Sequence, residues 1–97
     1  MNKNEILALA TEVEEFNSNN AWGYGGARGE RYHYKNGTVI TIAFAGSRNN
    51  GEWSFTKVVI PYKGNDPNHI ATEAIIDRRG HNLTDQELMV IMEAIQD

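Results

Sequence analysis

ERYHYKNGTVITIAFAGSRNNGEWSFTKVVI, from Glu30 to Ile60, is the stretch whose reading decides the fold. Asn36-Gly37 stands between two runs rich in β-branched and aromatic residues, the signature of a two-residue type I′ hairpin turn. A second turn, from Gly46 to Gly51, leads into Trp53 to Ile60. The pattern predicts three antiparallel strands in meander order, with residues 38–45 in the middle. A two-residue turn pairs Lys35 with Thr38, which sets His33 opposite Ile40 and Arg31 opposite Ile42. Pairing Gly46 with Gly51 sets Phe44 opposite Trp53 and Ile42 opposite Phe55. One face then carries Ile40, Ile42, Phe44, Trp53 and Phe55, and the other Tyr32, Tyr34, Val39, Thr41, Ala43, Ser54, Thr56 and Val58. The first is the expected core. Because side chains alternate with period two, a one-residue slip exchanges the faces.

Working outward, helices are expected on both sides. Asn4 caps a helix through Phe16, with Ile6, Leu9, Ala10, Val13 and Phe16 at helical spacing. Asp66-Pro67 opens another that runs to about Arg79 and stops at Gly80. Thr84-Asp-Gln-Glu87 is a capping box, and Leu83 with Leu88 forms the matching staple of the last helix. Leu88, Ile91, Met92 and Ile95 face inward on that helix, while Met89 and Val90 fall outside the stripe. A second copy of the chain is a candidate partner for those two. The fold expected is α+β: a three-stranded meander with one N-terminal and two C-terminal helices, in one domain over residues 1–97.

The chain has no cysteine, which excludes disulfide staples and thiolate metal sites. The N-terminus lacks an apolar h-region and no run is long enough to span a bilayer, so a cytoplasmic protein without membrane contact is expected. His33, His69 and His81 are scattered, with no HxxxH, HxH or HExxH spacing. Ser18, Ser47 and Ser54 lack a nucleophile-elbow context. The glycines from Gly23 to Gly29 do not follow a strand and open a helix, as a phosphate loop requires. No enzyme, metal or cofactor is expected.

Charge is the remaining signal. The formal net charge is −4, but residues 1–20 carry −3, residues 21–64 carry +4 and residues 65–97 carry −5. The sheet is basic and the predicted helices are acidic. Glu12 and Glu15 are like charges three apart near a helix C-terminus, and Glu73 and Asp77 are like charges four apart. Both spacings are locally unfavourable on a helix. With Glu5 they define acidic surfaces suited to a basic groove on a protein partner. The alternative is a nucleic-acid-binding module that uses the aromatic and basic residues of the sheet. Assigning Trp53 and Phe55 to the core weighs against direct nucleic-acid binding. The helix–strands–helix order resembles the double-stranded-RNA-binding domain, but Asp66 to Glu73 replaces that family's Lys-rich helix start.

The short acidic chain, the EVEE run at 12–15 and the helix–meander–helix plan resemble the small proteins that phages and mobile elements direct against bacterial defence. Within that group the chain is similar to anti-CRISPR inhibitors of type I surveillance complexes. The resemblance implies a host bacterial cytosol. It also implies that carboxylates at Glu5, Glu12, Glu15, Glu73 and Asp77 mimic DNA phosphates and occupy the DNA-binding surface of such a complex.

Overall fold

Alternation along Val39–Ser47 places Ile40 and Ile42 on one side and Val39, Thr41 and Ala43 on the other, which commits the segment to a strand. The computed structural model describes residues 2–19, 26–47, 51–61 and 72–96. The elements are α1 (Lys3–Ala8), β1 (Glu12–Asn19), β2 (Gly26–His33), β3 (Val39–Ser47), β4 (Gly51–Pro61), β5 (Thr72–Arg79) and α2 (Asp85–Ile95). The strands form one antiparallel sheet in the order β1-β2-β3-β4-β5, each paired with its neighbour in the chain. Among the described residues, five strands and two helices therefore replace the expected three-stranded meander with three helices.

Both added strands lie where helices were expected. Asn2 caps α1, its side chain accepting from the Glu5 amide at 2.9 Å, and the helix ends at Ala8. From Glu12 onward the chain pairs with β2 along its whole length, Glu12 opposite His33 and Asn19 opposite Gly26. In the strand, Val13 and Phe16 point to opposite faces, so their helical spacing makes no stripe. Residues 72–79 pair with β4, and the register shifts between Val58 and Val59, leaving Ile75 as the extra residue. The start of the expected middle helix, Asp66-Pro67, lies outside the described residues.

The hairpin at Asn36-Gly37 is present, but its loop has three residues. Tyr34 N donates to Thr38 O and Gly37 N to Tyr34 O, both at 3.0 Å, and Gly37 adopts φ +93°. A three-residue loop closing on a left-handed glycine pairs His33 with Val39 and Tyr32 with Ile40. At the second turn Ser47 pairs with Gly51, so Ala45 rather than Phe44 faces Trp53. Each hairpin differs from expectation by one residue, which moves β2 and β4 to the other face relative to β3.

The corrected faces set the core. Ile6 of α1 and Ile91 of α2 pack with Tyr34, Ile40, Val58 and Ile76, and all six are buried. Leu83, Leu88, Met92 and Ile95 close the layer from the helical side. The capping box of α2 is formed as expected, Glu87 N donating to Thr84 Oγ1 at 3.1 Å and Thr84 N to Glu87 Oε1 at 2.8 Å. Arg78 of β5 adds a two-toothed ion pair to Glu87, 2.8 Å on each oxygen, which ties the last helix to the sheet. Tyr34 Oη donates to Ile6 O at 2.7 Å, and Asn36 Nδ2 donates to Ala94 O, so the first hairpin is bound to both helices. Phe44, expected in the core, is 42% exposed.

Candidate functional site

Among the described residues both helices lie on one face of the sheet, and the other carries Phe16, Trp53 and Phe55, with Arg31, His33, Lys57 and Arg79 among them. The register sorts these residues into cross-strand rows. Phe16, Gly29, Ala43, Phe55 and Arg79 lie opposite one another across the five strands. Beside them run Glu14, Arg31, Thr41, Lys57 and Asp77. In the first row two small residues separate two phenyl rings, and Ala43 between them is wholly buried. Gly29 is required by close approach: a Cβ there would stand 2.3 Å from Ile42 O and 2.6 Å from Ala43 Cα.

Diagonal neighbours across antiparallel strands are within reach of long side chains. Arg31, diagonal to Phe16, lays its guanidinium 3.9 Å from the centre of that ring. Arg79, diagonal to Trp53, lies 4.6 Å from the indole centre. Trp53 and Phe55 are tilted neighbours with centroids 5.8 Å apart. The face thus carries two guanidinium-on-aromatic stacks, one on the β1–β2 side and one on the β4–β5 side. Three strand spacings of about 4.8 Å separate the two sides, roughly 14 Å. Lys57 is exposed between them and Thr41 half-buried. A shallow groove of about 380 Å³ runs along the β4–β5 side, lined by Trp53, Phe55, Lys57, Asp77, Arg78 and Arg79.

Glu14 moderates the charge at the opposite end. Its Oε1 lies 3.2 Å from His33 Nε2 and 3.5 Å from Arg31 Nη1. The hydrogen bond from His33, with the Arg31 charge, holds the Glu14 carboxyl below its ordinary value.

The residues expected from sequence to bind a partner are dispersed. Glu5 is exposed on α1, and Glu12 and Glu15 are exposed on β1, on opposite faces of the strand. Glu73 and Asp77 belong to β5, and only Asp77 has a described side chain. β1 and β5 are the two sheet edges, four spacings or roughly 19 Å apart. Asp77 and Glu12, the latter opposite His33, share the aromatic face from opposite edges.

Interleaved aromatic and basic residues were the available signal for this face, but the assumed register sent Trp53 and Phe55 to the core. Phe16 and Arg79 were hidden in predicted helices. Tyr32 and Tyr34 in turn lie on the helix side. Tyr32 Oη donates to Glu30 Oε2 at 2.6 Å, and that bond to the carboxylate, with burial, pushes the phenol up to about 12.

Among the described residues no group of three or more His, Asp or Glu is placed to hold a metal. No described helix is long and apolar enough to cross a membrane. Met89 is 67% exposed and Val90 38%, and Met89 lines an open groove on α2 with Asp85, Leu88, Met92 and Glu93. His69 lies outside the described residues, while His81 packs edge-on against Phe44 with centroids 5.3 Å apart. Comparison with protein-family models, curated proteins and solved structures finds no match.

Proposed function

We propose that this chain is a binding module in which the sheet face that carries no described helix takes single-stranded nucleic acid. The observation that carries the reading is the pair of guanidinium-on-aromatic stacks on one open face, with Phe55 and Lys57 between them. Bases stack on aromatic rings and on guanidinium planes, and the same cations meet phosphates. A strand crossing the sheet from β1 to β5 encounters Arg31 on β2, Lys57 on β4 and Arg79 on β5 in turn. The net charge of −4 lies outside the central strands: β2, β3 and β4 together carry +1, with Arg28, Arg31 and Lys57 against Glu30 and Glu52.

Anisotropy of a labelled twelve-residue oligothymidylate at two salt concentrations tests the reading. Trp53→Ala is expected to lose about 1–3 kcal/mol of binding, one stacked base. Arg31→Ala and Arg79→Ala are each expected to weaken binding and lower the log–log salt slope by about 0.7. No binding by the wild-type chain at low salt overturns the proposal.

A second reading keeps a narrower footing. Glu5, Glu12 and Glu15 are exposed and, among the described residues, have no ion-pair partner, and α1 leads directly into the free edge β1. On this reading they enter a basic, DNA-binding path on a protein complex, such as a type I CRISPR surveillance complex, and inhibit it. Reversing Glu12 and Glu15 to Lys is then expected to abolish binding to the complex, and short duplex DNA to compete. Simultaneous binding of DNA and this chain excludes it.

A further inference from the structure

Resting on the nucleic-acid reading, we infer that the groove between β4 and β5 selects guanine, and that Asp77 is the residue that reads it. The groove joins three kinds of group. Trp53 and Phe55 offer ring faces, Lys57 and Arg79 are exposed cations, and Asp77 is the one carboxylate among its described lining residues. Asp77 sits directly opposite Lys57 and two residues from Arg79 on the same face. Its neighbour Arg78 is already held by Glu87 on the far side of the sheet. Among the described residues the Asp77 carboxylate makes no hydrogen bond or ion pair, so both its oxygens remain for a ligand.

A base stacked on the Arg79–Trp53 pair presents its Watson–Crick edge toward neighbouring side chains. An ionised carboxylate only accepts, and accepts two parallel bonds well. Guanine alone presents two adjacent donors on that edge, N1–H and the 2-amino group. Adenine and cytosine set a ring acceptor beside their amine, and thymine flanks its one donor with two carbonyls. Each of those mismatches turns a lone pair against a carboxylate oxygen. Lys57, across from Asp77, is within the groove for the phosphate that follows the base.

The test uses labelled oligothymidylates carrying one central guanine, adenine, cytosine or inosine, the last being guanine without its 2-amino group. The wild-type chain is expected to bind the guanine oligomer about tenfold more tightly than the adenine or cytosine ones, with inosine in between. Asp77→Asn is expected to bring guanine and inosine together, the readout being that ratio rather than absolute affinity. Because Asp77 is exposed, the fold is retained, and thermal melting of the variant verifies it. Equal binding of guanine and inosine by the wild type, or a preference that survives in Asp77→Asn, overturns the assignment of Asp77 while leaving the stacking face standing. If no oligonucleotide binds, the nucleic-acid reading falls and the guanine assignment falls with it.

Discussion

Tyr34 shows how one side chain can couple distant parts of the chain. It leaves the end of β2, lies in the core at 6% exposure and donates its hydroxyl proton to Ile6 of α1. Burial, and secondarily Tyr32 nearby, pushes its phenol up to about 12 from an ordinary 10. A raised value means that the folded state holds the proton more tightly. The associated stability is complete below pH 10 and is lost as pH rises from there through about 12. Tyr34→Phe keeps the ring and loses only the bond, so about 1 kcal/mol of stability should go at pH 7. The penalty should shrink above pH 10, where the wild-type phenol begins to ionise in the unfolded chain. Denaturant melts at pH 7 and pH 11 check this; a penalty unchanged at pH 11 would place the phenol in water.

At the scale of elements, α2 is held by Glu87. This carboxylate accepts from the Thr84 amide and from Arg78, and those bonds, the backbone one foremost, hold it below its ordinary 4.5. Its contribution is therefore present above about pH 4.5 and is lost as pH falls through the lower folded value. Glu87→Gln should flatten the acid limb of the thermal midpoint between pH 5 and 3, relative to wild type. An identical acid limb in both proteins would show that other carboxylates govern it. The helix was legible in sequence because every signal for it was local: cap, staple and apolar stripe all fall within residues 83–95. The sheet was legible in kind but not in extent. Glu12–Asn19 and Thr72–Arg79 are strands only because β2 and β4 offer edges to pair with, and pairing of eight residues in β1 and seven in β5 outweighs a weak helical preference. The open face was lost for a subtler reason. Asn36-Gly37 marks the turn, but whether the loop spans two residues or three depends on Thr38 pairing back to Tyr34. That one-residue difference carried Tyr32 and Tyr34 to the helix side, and the matching slip at the second turn, where Ser47 rather than Gly46 pairs with Gly51, carried Trp53 and Phe55 from the expected core to the other face.

For the molecule as a whole, burial is unevenly distributed across the meander. Ile40 and Ala43 of β3 and Thr56 and Val58 of β4 are at most 1% exposed, whereas no described residue of β1 is buried and Val13 is 52% exposed. Opening free energy follows buried contacts. Amide hydrogen exchange should therefore be fastest in β1 and slowest in β3 and β4. Protection in β1 equal to that in β3 would mean that the sheet opens only as a unit.

The position of β1 at the rim has one more consequence. An unpaired rim of backbone amides and carbonyls is a template on which another molecule can add its own strand. Glu12, Glu14 and Glu15 load that rim with negative charge, and two copies meeting rim to rim must bring like charges together. The carboxylates that leave β1 weakly buried thus guard the protein against stacking into fibrils. Replacing the three glutamates by glutamine removes that guard and leaves the rim's backbone groups, unpaired among the described residues, open to a second strand.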